Sequence, residues 1–122
     1  MDGGFSDILA RLRRLAAHLP GVVEATSYGT PALKVGGKLL VRVKDRDTLV
    51  LMSTPDEKEM LLAAAPDLYF ETHHYKGWPS LLIRLERISD DELSHRLEAT
   101  WRRQAPRKLV KDWTTTRKGV RP

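Results

Sequence analysis

The chain has no cysteine among its 122 residues. Disulfides, cysteine-ligated zinc and thiol catalysis are therefore excluded. The absence fits a reducing compartment, and a cytoplasmic location is the expectation. No apolar run approaches the ~20 residues of a membrane-spanning helix, so no membrane partner is expected. Arg11, Arg13 and Arg14 interrupt the N-terminal apolar pattern, which leaves no signal-peptide core. The sequence also lacks Gly-x-Ser-x-Gly, a phosphate-binding loop and His-Glu-x-x-His. Those patterns carry nucleophilic, phosphoryl and zinc chemistry. No enzyme and no cofactor are expected.

What is present suits one domain, long enough to bury roughly two-thirds of its unfolded surface. The net charge of +5 is unevenly spread. From residue 102 onward there are eight basic residues against one acid, a net +7; the rest holds 13 basic and 15 acidic residues, a net −2. The basic character belongs to the C-terminal tail, which favours polyanions without sequence specificity or simply solubilises the chain.

Phe5, Ile8, Leu9, Leu12, Leu15, Ala16 and Leu19 recur at helical spacing, with Ser6 or Asp7 as the expected cap and Pro20-Gly21 as the stop. Residues 22–27 read as a short strand, and Tyr28-Gly29-Thr30-Pro31 as a turn. Residues 32–35 and 38–44 flank Gly36-Gly37. Two strand-like runs joined by Gly-Gly predict a hairpin, because a type I′ turn needs positive φ twice. Residues 48–52 are apolar on both faces and belong in the middle of a sheet. Thr54-Pro55-Asp56-Glu57 and Ser89-Asp90-Asp91-Glu92 have capping-box spacing and each starts a helix. Residues 69–72 and 80–87 read as further strands. Leu93, Leu97 and Trp101 make the apolar stripe of a last long helix ending before Pro106. Leu109, Val110 and Trp113 predict at most one more short turn, and residues 114–122 no fixed structure. Short connections imply an antiparallel sheet with helices on one face, an α+β domain over residues 1–113.

Several markers in this order resemble the MmcQ/YjbR family. They are Leu19-Pro20-Gly21-Val22, the run from Tyr28 to Lys38, Tyr75-Lys76-Gly77-Trp78-Pro79 with Leu82-Ile83-Arg84-Leu85, and Trp101 before Ala105-Pro106. Leu33 stands where the family pattern often has a bulky aromatic, and it still suits a core position. The resemblance implies a CyaY-like fold, that of bacterial frataxin, with two protruding β-hairpin wings and a DNA-binding role. It does not carry over an iron function. Frataxins use an acidic ridge on the first helix, whereas this helix has Asp7 and three arginines.

The two wing tips are Gly36-Gly37-Lys38 and residues 74–78. Lys38, Arg42, Lys76 and Arg84 are the expected phosphate contacts, and Tyr75 and Trp78 the expected stacking or wedging rings. Arg117, Lys118 and Arg121 of the tail add charge. Binding to DNA would be weak and salt-dependent. The alternative is a protein- or small-ligand-binding module using the aromatic loop 73–79; a cleft there would be lined by Tyr28, Thr30, Tyr75 and Trp78. His73-His74 with Glu71 nearby invites a metal, but adjacent strand residues point to opposite faces, so no metal site is expected.

Overall fold

The structure is a computed structural model that describes residues 4–119. Helix α1 spans Ser6–Leu15, and its buried residues Ile8, Leu12 and Leu15 follow one helical stripe. Its N-cap is Phe5 and no side chain caps it, contrary to the expected role of Ser6 or Asp7. Four strands follow as a meander: β1 (Val22–Ser27), β2 (Thr30–Val35), β3 (Lys38–Asp45) and β4 (Thr48–Met52). Helix α2 (Pro55–Ala64) leads to β5 (Tyr69–Phe70), a 3-10 turn at His73–Tyr75 and β6 (Ser80–Arg84). Helix α3 (Asp90–Gln104) and helix α4 (Arg107–Gly119) complete the chain.

All pairings are antiparallel, and the strand order is β1-β2-β3-β4-β6-β5. β4 lies in the interior of the sheet, as its uniformly apolar sequence requires. Both capping boxes form: Glu57 N–H donates to Thr54 Oγ1 and Glu92 N–H to Ser89 Oγ, each at 3.1 Å. The Asp90 carboxylate at the start of α3 accepts from Arg11 at 2.7 Å and from Arg14 at 3.1 Å, tying α1 to α3.

The main core lies between one face of the sheet and the helices. Leu33, Val41, Leu49, Leu51, Leu81 and Ile83 meet Leu12 of α1 and Leu93, Leu97 and Trp101 of α3. Trp101 is fully buried and donates from Nε1 to the Pro20 carbonyl at 2.9 Å. Near the α3 N-terminus, the buried Tyr69 hydroxyl bonds to Glu92, and burial together with that carboxylate pushes its pKa up.

Helix α4 corrects the expectation for the tail. Residues 114–119 are helical, and residues 120–122 lie outside the described part. The helix docks through Leu109, Val110 and Trp113, which pack against the core. Trp113 meets Trp101 edge-on at 4.9 Å and donates to the His18 carbonyl at 3.1 Å. A Cβ on Gly21 would sit 2.7 Å from Leu109 Cδ2, so Gly21 makes room for this helix.

Candidate nucleic-acid interface

The sheet face turned away from the main core is built by alternation. The register aligns Ala25, Ala32, Arg42, Val50, Leu82 and Phe70 in one row across all six strands. Side chains in such a row share a face. Residues 71–79 connect β5 to β6, and Tyr75 reaches onto this face. Arg42 donates from Nη2 to the Tyr75 hydroxyl at 2.8 Å. Val50 and Leu82, in the same row, are buried although they lie outside the helix-side core.

The Arg42 guanidinium also stands 5.0 Å over the ring of Tyr28. Tyr28 occupies the two-residue turn between β1 and β2, where Ser27 pairs with Thr30. Arg84 lies on the same face, 4.1 Å over the Phe70 ring. Arg42 and Arg84 are therefore engaged with aromatic rings rather than projecting freely. Tyr28 and Tyr75 both meet Arg42, but on an open face rather than in the expected cleft, and Trp78 borders a different cleft beside Pro55 and Leu62.

The aromatic loop is pinned from beneath by Lys58. This α2 lysine is buried, and its ammonium donates to the Tyr75 carbonyl at 2.7 Å and the Trp78 carbonyl at 2.9 Å. Glu71 Oε2 lies 3.1 Å away and neutralises it. Sequence reasoning missed Lys58, because a lysine in a helix ordinarily reads as solvated. The loop that it fixes leaves Lys76 exposed and Trp78 63% exposed. His73 and His74 belong to the 3-10 turn rather than a strand, so the strand-face argument about them does not apply. His74 packs edge-on against Tyr75 at 5.0 Å.

Lys38 has a different neighbourhood. The Gly36-Gly37 tip packs on the α3–α4 elbow, where a Cβ on Gly36 would meet Pro106 Cδ at 3.2 Å. Gln104 donates its amide to the Leu39 carbonyl at 3.1 Å. This places Lys38 beside a cleft of about 780 Å³ lined by Arg102, Arg103, Ala105, Arg107, Lys108, Val110 and Lys111. No acid lines it. Arg102 pairs with Glu98, Arg103 with Glu57 and Lys108 with Asp112. Among the described residues Lys38, Arg107 and Lys111 have no ion-pair partner. Arg117 and Lys118 belong to the last turn of α4, and Arg121 lies outside the described residues. The elbow cations were legible as an excess of charge from residue 102 onward, but not as a cleft.

The YjbR family model matches residues 17–103. The chain belongs to the YjbR family. An uncharacterised Mycobacterium tuberculosis H37Rv protein is 33% identical over 116 residues, an alignment covering 80% of this chain and 88% of that protein. An uncharacterised Mycobacterium bovis protein matches to the same extent. A Deinococcus radiodurans crystal structure of the DUF419 domain model superposes with a TM-score of 0.65 at 17% identity, covering 84% of this chain and 85% of that one. That likeness shows a shared fold. The matched segment of the YjbR domain includes both hairpins, Lys58 and the open-face residues, and it ends at Arg103. Most of the elbow cleft and all of α4 therefore lie beyond the matched segment. No helix among the described residues is long and apolar enough to cross a membrane.

Proposed function

We propose that this protein is a non-enzymatic DNA-binding module that holds the phosphate backbone at the end of the sheet where the β2–β3 tip meets the α3–α4 elbow. The observation that carries the reading is the acid-free cleft of five cations, with Lys38 brought beside it by the packing of Gly36 on Pro106. Three of the six cations have no ion-pair partner among the described residues, so docking a phosphate on them breaks no existing pair. Lys76 and Trp78 of the aromatic loop lie toward the same end, because β6 starts where β4 ends. The charge is local, since the chain outside its basic C-terminal region is net negative. Weak, non-specific binding is the expected behaviour, with Kd about 10⁻⁴ to 10⁻⁶ M at physiological salt.

The test is an anisotropy titration of full-length protein into labelled DNA at several salt concentrations. Contact through Lys38, Arg107 and Lys111 gives a log K against log salt slope near −3 × 0.9. Absence of binding at low salt sinks the reading.

A second reading draws on Trp78. Its exposed ring borders a shallow cleft formed with Pro55, Leu62 and Gly77 and edged by Lys58, Glu59 and Glu71. An apolar side chain of a protein partner would fit there, and its binding would be nearly independent of salt.

A further inference from the structure

We propose that the open sheet face takes up single-stranded nucleic acid by stacking an unpaired base on Tyr28. This inference rests on the DNA-binding reading and names the form of nucleic acid that the domain takes.

Tyr28 is the only non-glycine among the described residues with a positive φ, at 54°, and Gly29 follows at 79°. These angles fit the tight two-residue turn that joins β1 to β2, in which asparagine or glycine ordinarily stands first. A side chain in this left-handed region is strained. Burial does not compensate, because Tyr28 is 89% exposed. A large ring has thus been placed where it strains the backbone and buries almost nothing. Ligand contact accounts for both facts.

The surroundings support stacking. Arg42 stands over one side of the ring at 5.0 Å, and Arg42 is itself held by the Tyr75 hydroxyl at 2.8 Å. Tyr75 in turn is held by Lys58 through its carbonyl. The platform is therefore ordered before any ligand arrives, which lowers the entropic cost of binding. The exposed ring offers its remaining surface to a base. The strands put Lys34, Arg42 and Arg84 on this face, within a surface that phosphates would cross. Asp45, at its rim, accepts from the Asp47 amide and lies 3.7 Å from the Lys44 ammonium. A stacking ring on a sheet suits unpaired bases, because in a duplex the base faces are covered by their neighbours.

The experiment uses the full chain with labelled oligodeoxythymidine, and unlabelled duplex as competitor, for wild type, Tyr28→Asn and Tyr28→Phe. Wild type should prefer the single strand. Tyr28→Asn should weaken single-strand binding by roughly 5- to 150-fold and leave duplex binding unchanged. The same variant should melt at or above the wild-type temperature, because asparagine tolerates this backbone; Tyr28→Phe should bind like wild type. If duplex competes as well as single strand, or Tyr28→Asn binds oligodeoxythymidine normally, the inference is overturned while the DNA-binding reading stands. If neither nucleic acid binds, both fall.

Discussion

The Lys58 ammonium donates to the Tyr75 carbonyl at 2.7 Å, and through Tyr75 it fixes Arg42 on the opposite side of the sheet face. One buried cation in α2 thus orders an aromatic loop and, at one remove, the guanidinium beneath Tyr28. We predict that Lys58→Met leaves two carbonyls and Glu71 without their partner and destabilises the fold by about 1–3 kcal/mol. Hydrogen exchange should accelerate in residues 71–79 and stay slow in α3. Equal protection of that loop in variant and wild type would show that Lys58 does not hold it.

Trp101 joins the sheet, α3 and α4 in one contact set, being fully buried against the core and edge-on to Trp113. Trp101→Ala should cost about 3–5 kcal/mol in denaturant unfolding, as large aromatic truncations do. A loss below about 1 kcal/mol would contradict its placement, since a cavity of that size cannot close without cost.

Asp90 gives the fold a pH dependence whose sign can be stated. The hydrogen bonds from Arg11 and Arg14 hold its carboxyl below the usual aspartate range. A depressed carboxylate stabilises the folded state above its unfolded pKa, and that contribution is lost as pH falls through the folded pKa. Asp90→Asn should therefore melt earlier than wild type at neutral pH, and the two should converge as pH falls below the usual aspartate range. A melting difference that persists unchanged in acid would rule out the ion pairs as its source.

Trp78 is mostly exposed, so Trp78→Ala should change stability by less than about 0.5 kcal/mol. If its ring stacks on a base, the same change weakens DNA binding by about 1–3 kcal/mol. If Lys76 adds a fourth phosphate contact, Lys76→Ala should cost less and reduce the salt slope by about one unit. Loss of a protein partner from Trp78→Ala, with DNA binding intact, would favour the second reading.

Much of this architecture was legible because local signals agreed with tertiary need. Thr54 and Ser89 cap as their spacing demands, Gly36-Gly37 turns the hairpin, and Trp101 falls on the apolar stripe of α3. Helix α4 was not legible. Three consecutive threonines have modest helix propensity, and the helix depends on Leu109 and Trp113 docking against Gly21, Trp101 and His18, contacts between residues far apart in sequence. Of the candidate site residues, Trp78 and Lys76 are exposed as expected. Arg42 and Arg84 instead lie against rings, because the period of the strands fixes their face but not their partners. The strained backbone of Tyr28 could not be read from a turn signal that Gly29 and Pro31 already satisfied.

The most direct test of the central claim is the salt dependence of DNA affinity for wild type beside a Lys38→Gln, Arg107→Gln, Lys111→Gln triple variant. All three side chains are exposed, so the variant should fold normally, which its melting curve checks. If the β2–β3 tip and the elbow hold the phosphate backbone, the log–log slope should become shallower by about 3 × 0.9 and low-salt affinity should fall by orders of magnitude. A folded triple variant with the wild-type slope and affinity would contradict the account.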